Sequence, residues 1–140
     1  MSDGLARAVE SPDRKHVAVL SYINEIRYGP PYFSLSVDGV SFGVRIFGDV
    51  HLWSDDSRFF AVQEWMTTNY QAGPVTQLLL VDIAERRERP LAVANQGWVI
   101  PERFEGDRLI YTERYYSDRG REKVMEFEAK FLEAGKWRPL

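Results

Sequence analysis

The feature that most restricts how this chain can fold is an internal repeat. SPDRKHVAVLSY at 11–22 returns 43 positions later as SDDSRFFAVQEW at 54–65. Ser11 falls on Ser54, Asp13 on Asp56, Lys15 on Arg58, Ala18 on Ala61, Val19 on Val62 and Tyr22 on Trp65. A third copy, FEGDRLIYTERY at 104–115, is one residue shorter in its turn, with Arg108 at the basic position. Self-similarity with a period of about 40–50 residues is the mark of a repeat architecture.

The remainder of each unit follows suit. A polar loop leads to a second apolar strand that ends on an acid: FSLSVDG (33–39), LLLVDIA (78–84) and VMEFEAK (124–130) place Asp38, Asp82 and Glu128 at matching points. A third short strand is read in VSFGVRI (40–46), PLAVANQ (90–96) and the C-terminal WRPL. A further strand precedes each turn, in LARAV (5–9), DVHLW (49–53) and WVIPERF (98–104). Four short antiparallel strands per unit is the make-up of a β-propeller blade.

The turns carry a resemblance. ESPDRK, WSDDSR and FEGDR resemble the W-S-P-D-G-K-like turn of TolB-type and prolyl-oligopeptidase-type propeller repeats, with Arg14 and Ser57 standing where that turn has glycine. The resemblance implies a fold and carries no chemistry. The expected fold class is all-β, a single domain over 1–140 with repeats at about 5–48, 49–97 and 98–140. It is built either as about three antiparallel propeller-like blades or as a curved β-sheet or sandwich. Three blades are fewer than the about four to eight that close a ring. Open edges must be paired, covered or charged, so self-association or an obligate partner is expected. EKVMEFEAKFLEAGKW (122–137) has two readings. Alternation of Met125, Phe127, Ala129 and Phe131 with charged residues predicts a strand. The helix-forming composition and Gly135 allow a C-terminal helix over 122–134.

Composition narrows the function. The 140 residues are 44% hydrophobic and 14% aromatic, which suits a β-rich core. A net charge of -3 weighs against nucleic acid as a partner. The basic-aromatic run YTERYYSDRGREK (111–123) is interrupted by Glu113, Asp118 and Glu122. With no cysteine there is no disulfide or thiolate chemistry. The N-terminal residues contain no apolar stretch of signal-peptide type and no run nears membrane-spanning length, so the expected location is cytoplasmic, without a membrane partner. His16 and His51, the only histidines, have no metal-ligand spacing, and neither a nucleophile elbow nor a phosphate-cradling glycine loop occurs. No metal, no cofactor and no catalysis are expected.

The long loop of each unit is the informative part. The first carries Tyr22, Asn24, Arg27, Tyr28 and Tyr32; the second Trp65, Met66, Asn69, Tyr70 and Gln71; the third Tyr115, Tyr116, Asp118 and Arg119. In a repeat, equivalent loops emerge on one face, and Tyr, Trp and Arg dominate protein-binding hot spots. The expected function is a non-catalytic protein-binding module, in concrete form a bacterial immunity (antitoxin)-type protein that masks another protein. Its partner-binding residues are Tyr22, Asn24, Arg27, Tyr28, Trp65, Asn69, Tyr70, Tyr115, Tyr116 and Arg119. The alternatives are a small-ligand or carbohydrate-binding domain and a structural subunit that associates with itself.

Overall fold

A computed structural model describes residues 6–27, 29–69, 71, 73–116, 121–132 and 136–140. The fold is all-β: β1 (Ala6–Glu10), β2 (Val17–Glu25), β3 (Pro31–Val37), β4 (Val40–Ser41), β5 (Ile46–Trp53), β6 (Phe59–Trp65), β7 (Val75–Asp82), β8 (Arg87–Asn95), β9 (Gly97–Glu105), β10 (Arg108–Tyr116), β11 (Glu122–Lys130) and β12 (Arg138–Pro139). They form two antiparallel sheets. A nine-stranded sheet has the order β1-β2-β3-β5-β6-β7-β8-β12 with β4 on β3, and a three-stranded sheet has the order β11-β10-β9. Among the described residues no helix is long and apolar enough to cross a membrane.

The repeated turn is the same object twice. Ser11 Oγ donates to Asp13 Oδ1 (2.6 Å) and accepts the His16 N–H (3.1 Å), while the Lys15 N–H donates to Asp13 Oδ1 (2.9 Å). Ser54 Oγ likewise donates to Asp56 Oδ1 (2.6 Å) and accepts the Phe59 N–H (2.9 Å), and the Arg58 N–H reaches Asp56 Oδ1 (3.1 Å). Such side-chain bonds satisfy turn amides that no strand partner can reach. Arg14 (φ 63°) and Ser57 (φ 64°) hold the left-handed conformation that glycine adopts without cost. The two turns also touch, through the Asp13 N–H on Ser57 Oγ at 2.9 Å. Beside each turn the repeated acid is paired: Asp38 with His16 (2.6 Å), Asp82 with Arg58 (3.0 Å) and Glu128 with Arg108 (3.0 Å).

Sheet continuity runs across the expected unit boundary at 48/49. β5 meets β3 at the single pair Phe33↔Phe47 and pairs with β6 from Ile46 to Trp53, with a register shift between Phe47 and His51. Of VSFGVRI (40–46), Val40–Ser41 form β4 and Ile46 opens β5. Arg45, between them, donates to Glu64 (2.8 and 2.9 Å) and Glu88 (2.8 and 2.7 Å), which fastens that loop to β6 and β8. The C-terminal strand also differs from expectation. β12 pairs with β8 through Arg138↔Glu88 and Pro139↔Arg87, so it extends the large sheet instead of completing the small one. Arg87 over Trp137 (4.2 Å) and Arg138 on Glu88 (3.1 Å) hold it there. Residues 122–130 are strand, which sets aside a helix over that span; 133–135 lie outside the described residues.

Packing explains why Phe59–Val62 of β6 and Leu78–Val81 of β7 read as unbroken apolar runs. Phe60, Val62, Leu79 and Val81 belong to one core cluster with Ala18, Leu20, Leu35, Val37, Phe47 and Trp53. Phe59, Ala61, Leu78 and Leu80 belong to a second cluster with Ala94, Val99, Leu109, Tyr111 and Phe131. Successive side chains on a strand point to opposite faces, so β6 and β7 are covered on both. A strand buried on both faces loses the apolar-polar alternation of a half-exposed one. β6 and β7 thus form a middle layer between the two core clusters.

Candidate functional site

β9 runs over the second face of the middle layer without pairing to it, and two buried polar side chains hold it there. Gln63 Nε2 donates to the Val99 carbonyl (2.9 Å), Thr76 Oγ1 donates to the Gly97 carbonyl (2.9 Å), and the Val99 N–H donates to Thr76 Oγ1 (3.0 Å). Each bond satisfies a polar group that burial would otherwise leave costly. Gln63 Oε1 accepts the Trp65 indole N–H at 2.9 Å and so fixes that ring. The backbone of β5 approaches closely here because position 48 is glycine. A Cβ at Gly48 would collide with Gln63 Oε1 and lie 2.8 Å from Trp65 Nε1. Gly97 serves a similar purpose, since a Cβ there would come within 2.5 Å of the Tyr115 ring.

Above this floor lies a cleft of about 340 Å³. Among the described residues Trp65, Trp98 and Tyr116 supply its aromatic walls, Pro30 and Pro31 one rim, and Asp49 and Arg114 its charges. Trp65 is only 4% exposed, with Tyr32 and Trp98 each 5.5 Å from it between ring centroids. Tyr116 is 60% exposed. The charges differ in how they are held. Asp49 pairs with Arg7 and lies 3.3 Å from His51 Nε2. Burial lowers the His51 pKa against the pull of Asp49, which keeps the ring neutral at pH 7. Among the described residues Arg114 has one long bond, to Glu122 (3.3 Å), and its buried Nε has no hydrogen-bond partner. Its guanidinium is the group best placed to turn towards an incoming acceptor. The lining thus offers stacking faces, an apolar rim and one loosely held cation.

Of the residues expected to bind a partner, the structure gathers two here, Trp65 and Tyr116. Tyr115 turns the other way. Its ring packs on the second core cluster and its hydroxyl donates to Glu113 (2.6 Å), and burial with that bond pushes its pKa up to about 12. Tyr22 packs edge-on against Phe33 (6.3 Å) and Asn24 accepts the Glu25 N–H, so both serve the local structure of β2. Arg27 and Asn69 are exposed, and the Asn69 carbonyl oxygen accepts the Gln71 N–H at 3.1 Å. Tyr28, Tyr70 and Arg119 lie outside the described residues. Sequence reasoning missed Trp98, Gln63 and Asp49. Gln63 did leave a signal, as a lone amide inside the apolar run FFAVQEW.

Comparison of the chain with protein-family models, curated proteins and solved structures finds no match.

Proposed function

We propose that the protein is a non-catalytic protein-binding module that grips its partner at the Trp65–Trp98–Tyr116 cleft. The observation that carries this reading is the cleft's construction. Loop ends from three parts of the chain meet there, and the Trp65 ring is braced from behind by Gln63 and packs on Trp98. Rigid, pre-set aromatic surfaces lose little entropy on binding and make effective anchors. An apolar or aromatic side chain of the partner would enter between Trp98 and Tyr116, and a nearby carboxylate or carbonyl would engage Arg114. An immunity-type role in the cytoplasm, in which capture masks the partner, is a form this reading takes.

The test is capture by immobilised protein, comparing wild type with Tyr116→Ala and Arg114→Ala. Neither side chain belongs to either core cluster, so the fold should survive their loss. The double variant should bind the captured protein at least about tenfold more weakly, as hot-spot truncations do. Equal affinity for both forms would exclude the cleft as the contact.

The cleft volume favours a second reading, a small-ligand or carbohydrate site, because about 300–1,000 Å³ is the usual size of such sites. A sugar or aromatic ligand that raises the melting temperature of wild type but not of Tyr116→Ala would select it.

A further inference from the structure

We propose that β11 pairs with β11 of a second copy, antiparallel about a two-fold axis at Glu126, so that two chains share one six-stranded sheet. β11 is bonded to β10 along all of Glu122–Lys130, and among the described residues no strand lies on its other edge. The chain's own last strand, β12, pairs with β8 instead. An uncovered edge presents a row of backbone donors and acceptors ready for another strand.

The side chains of EKVMEFEAK select what that strand is. A two-fold axis perpendicular to the sheet keeps each face on its own side. Pairing centred on Glu126 then sets Glu122 opposite Lys130 of the other copy and Met125 opposite Phe127 of the other copy, each contact made twice. Directly opposed side chains are the unit of sheet stabilisation, and opposite charges and apolar pairs both contribute. Phe127 is 37% exposed in the single chain, so the pairing gives it cover. Moving the register by one step in either direction sets Glu122 against Glu128, or Glu126 against Glu128. The centred register opposes only Glu126 to itself, and Arg103 stands 3.8 Å from that carboxylate on each copy. Lysine on an edge strand ordinarily repels a passing strand; here Lys130 meets an acid when the visitor is the same sequence.

The mass in solution tests this, by sedimentation or light scattering over a range of concentrations. Wild type should reach twice the 16.3 kDa chain mass. Glu122→Lys and Lys130→Glu alone should each raise the dimer dissociation constant about tenfold, since each creates two like-charged opposed pairs. The double variant Glu122→Lys/Lys130→Glu should return to within about threefold of wild type, because it only exchanges the partners. A wild type that stays monomeric would overturn the proposal. So would single variants with unchanged dimerisation, or a double variant that fails to recover. Amide exchange in wild-type β11 needs no substitution. It should slow as concentration rises, and concentration-independent exchange would also overturn the proposal. β11 contributes none of the lining residues on which partner capture is argued, and Lys130→Glu leaves the one bond between β11 and the cleft, Arg114 on Glu122, in place, so its effect on dimerisation is separate from the cleft.

Discussion

Phe60→Ala should destabilise the domain by about 3–5 kcal/mol, the range for deleting a fully buried phenylalanine. Phe60 has no exposed surface, and its ring centroid lies 4.8 Å from that of Trp53 and 5.8 Å from that of His51. Its chain neighbours Phe59 and Ala61 are anchored in the other core cluster. Collapse of β6 into the cavity would pull those side chains out of the opposite core, so little relaxation is available. The loss should therefore fall in the upper part of the range. Ile23→Ala, at a position 47% exposed on β2, should cost less than about 1 kcal/mol. Urea unfolding of both variants checks the contrast. Similar losses for the two would mean that the middle layer is not shared between cores.

The second large effect comes from the buried carboxylate of Asp82. It has no exposed surface and takes bonds from Arg58 (3.0 and 3.1 Å) and Arg87 (3.0 Å). Burial by itself would raise its pKa, but the two guanidinium groups and the Glu85 N–H hold the carboxyl below the usual carboxylate range. A depressed carboxylate contributes stability that is present above its unfolded pKa of about 3.9 and is lost as pH falls through the folded value. Arg58→Ala/Arg87→Ala should cost about 3–5 kcal/mol at pH 7, because it strands a buried charge. In that variant burial is opposed by the Glu85 N–H without either guanidinium, and the carboxyl pKa rises. The variant then loses less stability on acidification than wild type does, so the gap between them should narrow towards pH 4. Arg58→Lys/Arg87→Lys, which keeps the charges, should lose less. A gap that widened on acidification would show that Asp82 does not depend on the two arginines.

How far the sequence went can be judged residue by residue. The Ser-x-Asp turns were legible because their bonds are local, and the left-handed Arg14 and Ser57 fell where the resembling motif has glycine. The strand at 122–130 was legible from alternation, since one of its faces remains open to water. The pairing of β12 with β8 was not, because Glu88 lies 50 residues from Arg138 and nothing local to WRPL encodes it. The double burial of FFAV and LLLV was written in the missing alternation, yet which layers cover them depends on tertiary packing. Loop position found Trp65 and Tyr116. It could not find Trp98, which reaches the cleft only because Gln63 and Thr76 hold β9 across the middle layer.

The proposal that partner recognition occurs at the cleft is tested most directly by a photoreactive benzophenone side chain placed at Tyr116, with the same probe at Asp55 for comparison. Asp55 sits in the turn before β6, at the opposite end of that strand from Trp65. Illumination in cell extract should join one protein to the chain from position 116 and none from position 55. Cross-linking from position 55 but not from 116 would contradict the account and move recognition to the other end of the domain.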